Sequence, residues 1–282
     1  MQFTSLISAD NLNKHLHDPG MVVLDTRFSL ADVDYGHRAY VAGHIPGAFY
    51  VHLDRDLSGP ITPSTGRHPL PGVDHFVDVM RARGVSSDSQ VVVYDDAAGM
   101  FASRCWWLLK WLGHERVAVL DGGLPAWTRS GGAEELTLPQ LPVRGNFAPH
   151  LQPKLLVDVE QVQRGLSDRS ILLCDARAPE RFCGDVEPID KQAGHVPGAI
   201  NRPFTHNLDA EGCFKQPDEL ARIHLPAKDD SRKVVHMCGS GVTACHNVLA
   251  AVVSGQPLPA LYAGSWSQWI TDPNRPIATG PT

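Results

Sequence analysis

Several features that would define a function are missing from this sequence. It contains no run of 18 apolar residues, so no membrane-spanning helix is expected. Its first residues lack a basic segment followed by an apolar one, so no secretory signal is predicted. The formal net charge is −6, whereas nucleic-acid binding favours a basic surface. We therefore expect neither a nucleic-acid partner nor a membrane partner.

The cysteines also lack the pattern of a metal or redox motif. There are six, and no two are spaced as C-x-x-C. In a chain without a secretory signal they are expected to be reduced thiols, which predicts a cytoplasmic protein without a bound metal or other cofactor. The remaining composition, 43% hydrophobic and 20% charged, is typical of a soluble globular protein. A length of 282 residues suits two domains of about 100–150 residues each.

The sequence contains one pattern written twice. "MVVLDTRF" at 21–28 recurs as "ILLCDARA" at 171–178, and "VAGHIPGAF" at 41–49 recurs as "QAGHVPGAI" at 192–200. This spacing indicates a domain duplication and not a short repeat. We predict an N-terminal domain at 1–132, a Gly- and Pro-rich linker at 133–153 and a C-terminal domain at 154–282.

Each copy alternates short apolar runs with longer amphipathic segments, which predicts an α/β fold with a mostly parallel sheet flanked by helices. Continuous apolar runs such as "QVVVY" are typical of parallel strands buried on both faces. The predicted strands lie near 21–26, 90–95, 116–120, 171–175, 233–237 and 258–262. The predicted helices lie at 101–113 and 243–254.

The two copies differ in two informative places. The first carries extra residues, which we place within "VHLDRDLSGPITPSTGRHPLPG" at 51–72. The second difference is at the end of the second predicted strand of each copy, where the alignment sets Cys238 against Asp96. Only the C-terminal copy therefore has a nucleophile at this position, and we expect the N-terminal copy to be non-catalytic.

The loop that follows Cys238 is expected to make its thiol reactive. A thiol at the carboxyl end of a parallel strand stands where open α/β sheets bind ligands. Gly239 and Gly241 permit a tight loop whose N–H groups converge on one point, and the helix that starts near Thr243 adds the positive end of its dipole. This setting favours a thiolate. A cysteine phosphatase would need an arginine six residues after the cysteine, where this chain has Ala244.

The loop "CGSGVTA" at 238–244 resembles that of the 3-mercaptopyruvate sulfurtransferases, within the tandem-domain rhodanese family. "GRHPLPG" at 66–72, "YAGSWSQW" at 262–269 and the two Gly-His-x-Pro-Gly-Ala segments resemble the same family. The resemblance implies two rhodanese domains, of which the second is active. It also implies a persulfide on Cys238, formed from a small anionic sulfur donor and discharged to a thiol, a thioredoxin-like protein or cyanide.

The same resemblance implies roles for further residues. Arg181 matches a donor-binding arginine of the family, and Ser240, His68 and Asp54 match a triad-like proton relay. Where mercaptopyruvate enzymes have a second donor-binding arginine this chain has Asp190, and the neighbouring Lys191 is the candidate substitute. The loop residues that would hold the transferred sulfur are Gly239, Gly241, Val242 and Thr243. A structural role, within the fold, is expected for the pairs Asp25–Arg27 and Asp175–Arg177 and for His44 and His195.

Two alternatives to a 3-mercaptopyruvate sulfurtransferase stay open. Asp190 is closer to the thiosulfate-using rhodaneses, although these place basic residues directly after the cysteine, where this chain has Gly239 and Ser240. A persulfide carrier or regulatory rhodanese module would bind a partner protein and turn over slowly. The duplicated architecture favours an enzyme acting on a small molecule.

Overall fold

The structure of the protein, a computed structural model, describes residues 2–226 and 230–281. The chain divides into two compact units. Unit 1 comprises Met1–Gly59, Pro71–Gln152 and Ala210–Cys213. Unit 2 comprises Pro60–Leu70, Pro153–Asp209 and Phe214–Thr282, and so includes the predicted relay residue His68. The predicted domain boundaries at 132 and 153 stay a prediction.

Unit 1 is built on a parallel sheet with the strand order β1-β5-β4-β2-β3. Its strands are β1 (Leu6–Ile7), β2 (Met21–Asp25), β3 (Phe49–Tyr50), β4 (Gln90–Tyr94) and β5 (Val117–Leu120). Its helices are α1 (Ala9–His15), α2 (Tyr35–Ala42), α3 (Leu53–Asp56), α4 (Val73–Ala82), α5 (Ala102–Trp111) and α6 (Gly123–Arg129).

Unit 2 repeats this architecture with the strand order β7-β6-β8-β9, again with parallel pairs. Its strands are β6 (Ile171–Asp175), β7 (Ile200–Asn201), β8 (Lys233–Met237) and β9 (Ala260–Leu261). Its α-helices are α7 (Val159–Ser167), α8 (Pro179–Cys183), α9 (Pro217–His224), α10 (Thr243–Val253) and α11 (Ser265–Trp269). Short 3-10 helices occupy Pro153–Leu155 and Phe204–Asn207.

These sheets confirm the predicted α/β class, and the central strands and helices lie where the apolar runs placed them. The strand predicted at 258–262 is shorter, because Pro257 and Pro259 have no N–H to donate to a neighbouring strand. The two-residue strands β1, β3 and β7 were not predicted, since so short a segment leaves no periodic signal.

The sheets are central because their strands are apolar on both faces. All five residues of β4 are buried, and so is every residue of α5, which contacts β4 and β5. In unit 2 the side chains of Leu173, Val235, Met237 and Trp266 are fully buried in one cluster. Burying a large apolar side chain stabilises the fold by roughly 1.5–3 kcal/mol, so these strand ends are rigid platforms for the loops that follow.

The two copies share a buried ion pair that ties a strand end to the following loop. In unit 1 the guanidinium of Arg27 donates to the Asp25 carboxylate and to Gly43 O; in unit 2 Arg177 donates to Asp175 and to Gly194 O. The Nδ1 atoms of His44 and His195 lie 2.8 Å from Tyr40 O and Phe182 O. The structural role predicted for these residues is confirmed.

Lowering the pH is expected to destabilise the protein through two buried histidines of unit 2. Burial lowers the pKa of His224 from the ordinary 6.5 to about 3, and burial lowers the pKa of His236 well below 6.5. Both groups stay neutral in the folded protein while the unfolded chain takes up protons near pH 6.5. Their contribution to stability is therefore present above that pH and is lost as the pH falls from about 6.5 towards 3.

The measurement is the free energy of unfolding in urea at about pH 7.5 and about pH 5, for the wild type and for His236→Leu. The imidazole nitrogens of His236 have no hydrogen-bond partner among the described residues, so leucine removes the titration without breaking a bond. We expect the variant to lose less stability than the wild type on acidification, by about 1 kcal/mol or more. Identical pH dependence in the two proteins would contradict the assignment.

Candidate functional site

The predicted nucleophile, Cys238, stands directly after β8 at the carboxyl edge of the unit 2 sheet. Its side chain is almost fully buried, with the residue 1% exposed. The Gly241 N–H donates to the Cys238 sulfur over 3.1 Å, and α10 starts at Thr243. An N–H group and a helix N-terminus beside a sulfur both stabilise negative charge on it.

Other thiols in the chain are less suited to nucleophilic attack. Burial raises the pKa of Cys105 to about 12 and that of Cys174 to about 11, which keeps both protonated at neutral pH. The Cys245 thiol donates to Gly241 O over 3.3 Å and so helps to hold the loop. The Cys238 sulfur, by contrast, accepts a backbone N–H, a hydrogen bond of the kind that stabilises negative charge on sulfur.

The loop geometry depends on Gly241. Its φ is +80°, a conformation that side-chain-bearing residues rarely adopt. A Cβ atom at this position would lie 2.3 Å from Ala263 O, far closer than van der Waals contact allows. Glycine is therefore required here both by the backbone conformation and by the close packing against the segment before α11.

Ser265 holds the backbone of Cys238 and was not predicted. Its Oγ accepts the Cys238 N–H over 3.1 Å and donates to Tyr262 O over 2.9 Å. Its φ is +54°, a strained value for serine. Gly123, which precedes Leu124 as Ser265 precedes Trp266, has a φ of +59°. The difference between Gly123 in the first copy and Ser265 in the second was the sequence signal that could have identified this residue.

The structure corrects the alignment of the two strand ends. In the register of the sheets Met237 pairs with Asp175 as Tyr94 pairs with Asp25, so Cys238 corresponds to Asp95 and not to Asp96. Matching hydrogen bonds agree, because the Trp266 N–H donates to Cys238 O and the Leu124 N–H donates to Asp95 O. The unit 1 loop is longer, which displaced the sequence alignment.

At the position where unit 2 has the sulfur of Cys238, unit 1 has the carboxylate of Asp95. The Asp95 carboxylate is fully buried and accepts N–H groups of the loop that leads into α5. These bonds come from Ala97, Gly99, Phe101 and Ala102. Backbone N–H groups therefore donate to the strand-end side chain in both copies, four to Asp95 and that of Gly241 to Cys238, but a hydrogen-bonded carboxylate offers no comparable nucleophile.

Two predicted relay residues lie together in unit 2. His68 Nδ1 is 2.7 Å from Ser240 Oγ, and both residues are buried, each 6% exposed. Ser240 is two residues after Cys238, so the pair joins His68 to the loop that follows the thiol. Asp54 lies in unit 1, in the first turn of α3, where its N–H donates to His52 Nδ1 over 3.1 Å. Its part in a relay stays a prediction.

Arg181 lies beside the loop that follows Cys238, as the prediction for a donor-binding residue requires. Its guanidinium donates to Glu187 Oε1 over 2.7 Å and to Asp190 Oδ2 over 3.1 Å. A Cβ atom at Gly239 would lie 3.6 Å from Arg181 Nη2. The guanidinium is thus fixed by carboxylates on one side and faces the residue after Cys238 on the other.

The remaining predicted residues have simpler positions. Val242 is buried at the start of α10, and Thr243 is the first residue of that helix. Lys191 is exposed and lines a cavity of about 570 Å³ in unit 2. The cavity is also lined by Arg67, which was not predicted as a site residue although it directly precedes His68.

A cysteine whose sulfur accepts a loop N–H at the carboxyl edge of a parallel sheet, within a duplicated α/β unit, indicates the class of proteins that use such a thiol as a nucleophile. The Rhodanese-like domain model matches residues 8–130 and again residues 158–272. The chain belongs to this family, which confirms the resemblance seen in the sequence.

Two relatives indicate the activities found in the family. The chain is 49% identical over 286 residues to a probable 3-mercaptopyruvate sulfurtransferase of Pseudomonas aeruginosa, covering 99% of this chain and 100% of that protein. It is 41% identical to a putative thiosulfate sulfurtransferase, SseB, of Mycobacterium tuberculosis, covering 92% of this chain and 90% of that one.

Among solved structures, the fold is similar to that of SseA from Escherichia coli, described as a 3-mercaptopyruvate sulfotransferase. The TM-score is 0.82 at 34% identity, covering 94% of this chain and 100% of the other. Among the described residues, no helix is long and apolar enough to cross a bilayer.

Proposed function

We propose that this protein is a sulfurtransferase that takes sulfur from 3-mercaptopyruvate onto Cys238 and passes it to a thiol or cyanide acceptor. The observation that supports this most is the Cys238 sulfur, held by the Gly241 N–H at 3.1 Å, with the Ser240–His68 pair at the loop that follows it. The 49% identical relative bears the same activity in its name.

In the first step the Cys238 thiolate attacks the sulfur of the donor. An S–S bond forms, the C–S bond of the donor breaks, and the bonding pair leaves with the carbon as the enolate of pyruvate. The products are a Cys238 persulfide and, after protonation of the enolate carbon, pyruvate. The loop N–H stabilises negative charge on the cysteine sulfur before attack, and on the persulfide afterwards.

The Ser240–His68 pair is the proposed source of the proton for the departing enolate. A hydroxyl hydrogen-bonded to an imidazole can deliver a proton and be reprotonated by the ring, and such positioned acid catalysis is worth roughly 10²–10⁴-fold. Arg181 is proposed to bind the carboxylate of the donor through Nη1, since its Nε and Nη2 already donate to Glu187 and Asp190.

In the second step an acceptor removes the outer sulfur of the persulfide. A thiolate, from a small molecule or a thioredoxin-like protein, attacks that sulfur and becomes a persulfide itself, which releases the Cys238 thiolate. Cyanide would take the same sulfur as thiocyanate. A reducing compartment such as the cytoplasm would supply thiol acceptors, and this location stays a prediction.

The second candidate activity uses thiosulfate as the donor. Asp190 and the 41% identical relative named as a thiosulfate sulfurtransferase favour it. The third alternative, a carrier that hands its persulfide to a docked protein, fits the structure less well. A carrier would be expected to expose its thiol, whereas Cys238 is 1% exposed.

Steady-state kinetics with each donor test this proposal. The values of kcat/KM for 3-mercaptopyruvate and for thiosulfate are measured against cyanide and against dithiothreitol. A higher kcat/KM for 3-mercaptopyruvate supports the proposal. A higher value for thiosulfate would replace it with the second candidate, and turnover of neither donor would favour the carrier.

Replacing His68 with alanine is expected to slow persulfide formation from 3-mercaptopyruvate by roughly a hundredfold, because the enolate loses its proton source. Loading from thiosulfate should slow much less, since sulfite leaves without such a proton. Single-turnover loading of Cys238 by each donor measures both rates. His206→Ala, a change at an exposed histidine of the same unit, is the matched control. Equal slowing with both donors would show that His68 acts on the loop and not on the leaving group.

A further inference from the structure

A second arginine, Arg67, is fixed beside the catalytic loop of unit 2. Its backbone N–H donates to Ser267 Oγ over 3.1 Å, which ties it to α11. Its Nη1 donates to Asp190 Oδ1 over 2.9 Å, and the Asp190 side chain is 3% exposed. The preceding Gly66 packs so closely that a Cβ there would lie 2.5 Å from Gly264 O. The backbone and the guanidinium of Arg67 are therefore both held in place.

Arg67 and Arg181 converge on the residue that follows Cys238. A Cβ atom at Gly239 would lie 2.9 Å from Arg67 Nη2, and 3.6 Å and 3.7 Å from the terminal nitrogens of Arg181. Asp190 bridges the two guanidinium groups, since one of its oxygens accepts from each. The absence of a side chain at Gly239 thus lets both guanidinium groups approach the backbone of this residue.

Both arginines keep hydrogen-bonding capacity beside Gly239. Within the described residues, Arg67 Nη2 and Arg181 Nη1 donate no hydrogen bond, although a guanidinium carries five N–H groups. Arg67 and Asp190 also line the cavity of about 570 Å³, whose lining does not include Arg181 or Gly239. Asp190 and Glu187 offset much of the positive charge, so the site holds an anion by directed hydrogen bonds more than by net charge.

We infer that Arg67 is a donor-binding residue, which together with Arg181 binds the anionic group of the sulfur donor over Gly239. This inference rests on the proposed function. It identifies Arg67 as the second donor-binding cation, which the sequence lacks at position 190, where it has Asp190. Asp190 does not weaken the donor site; it fixes Arg67 in place. The exposed Lys191 is then not required as a substitute.

The test compares Arg67→Ala and Arg67→Lys with Arg222→Ala, a change at an exposed arginine of α9. Losing a hydrogen bond to a charged group should raise the KM for 3-mercaptopyruvate by roughly ten- to a hundredfold in Arg67→Ala. Lysine should recover part of this, because it keeps the charge but not the fork. The KM for the acceptor, kcat and the melting temperature should change little, and Arg222→Ala should behave as wild type.

Two outcomes would overturn the inference. An unchanged donor KM in Arg67→Ala, or a raised one in Lys191→Ala with Arg67→Ala unaffected, would place the anion elsewhere. Equal losses in kcat, acceptor KM and melting temperature, with no recovery by lysine, would show a structural role only. Failure of the proposed function is separate, because it would appear in the wild type, as a higher kcat/KM for thiosulfate or as no loading of Cys238 by 3-mercaptopyruvate.

Discussion

Replacing Cys238 with serine is expected to abolish sulfur transfer from every donor while leaving the fold intact. Serine has nearly the same shape and can still accept the Gly241 N–H, but its hydroxyl is a far weaker nucleophile at neutral pH and does not form a persulfide. Turnover should fall by more than roughly a thousandfold, to the background of the assay. Cys183→Ser, at a half-buried cysteine of the same unit, is the matched control and should keep wild-type activity.

Mass spectrometry locates the sulfur directly. Wild-type protein treated with 3-mercaptopyruvate should gain one sulfur atom on the peptide that contains Cys238, and cyanide should remove it. The Cys238→Ser protein should gain none. An adduct on Cys213 or Cys245, or undiminished turnover in the serine variant, would overturn the assignment of the nucleophile.

Replacing Gly241 with alanine is expected to cause the second largest loss. A non-glycine residue at positive φ costs about 1–2 kcal/mol by itself, and here the added Cβ would also lie 2.3 Å from Ala263 O. The loop must shift, which moves the N–H that donates to the Cys238 sulfur. We expect both a lower free energy of unfolding and a loss of activity of roughly a hundredfold or more, as for the removal of an oxyanion-hole donor.

Gly255→Ala separates the two causes. Gly255 also has a positive φ, +88°, but an added Cβ there meets no atom within 4 Å. Gly255 follows α10, away from the catalytic loop. The Gly255→Ala variant should therefore be destabilised by the backbone cost alone and should keep its activity. Urea unfolding and donor kinetics on both variants make the comparison. If the two variants lost equal stability and Gly241→Ala kept its activity, the close packing of Gly241 against Ala263 would not be what positions the loop.

Local patterns in the sequence were sufficient for the framework. The apolar run Gln90–Tyr94 is a strand buried at all five residues, and Lys233–Met237 is a strand buried at its last three, because burial on both faces leaves a direct mark on the sequence. The Asp25–Arg27 pair was predictable since its partners are two residues apart at a strand end. The position of Cys238 after β8 followed from the same patterns, as did the glycine-rich loop before α10.

Contacts between distant segments were decided by the tertiary structure alone. Ser265 holds the Cys238 N–H from 27 residues away, and Arg67 reaches Asp190 across 123 residues. The alignment of Cys238 with Asp96 was wrong by one residue, because loop lengths differ and only strand register fixes equivalence. His68 was predicted from the family resemblance, but its 2.7 Å approach to Ser240 across 172 residues depends on the packing of 60–70 within unit 2. Sequence periodicity records which residues are buried, whereas the pairing of side chains across such separations is set by packing.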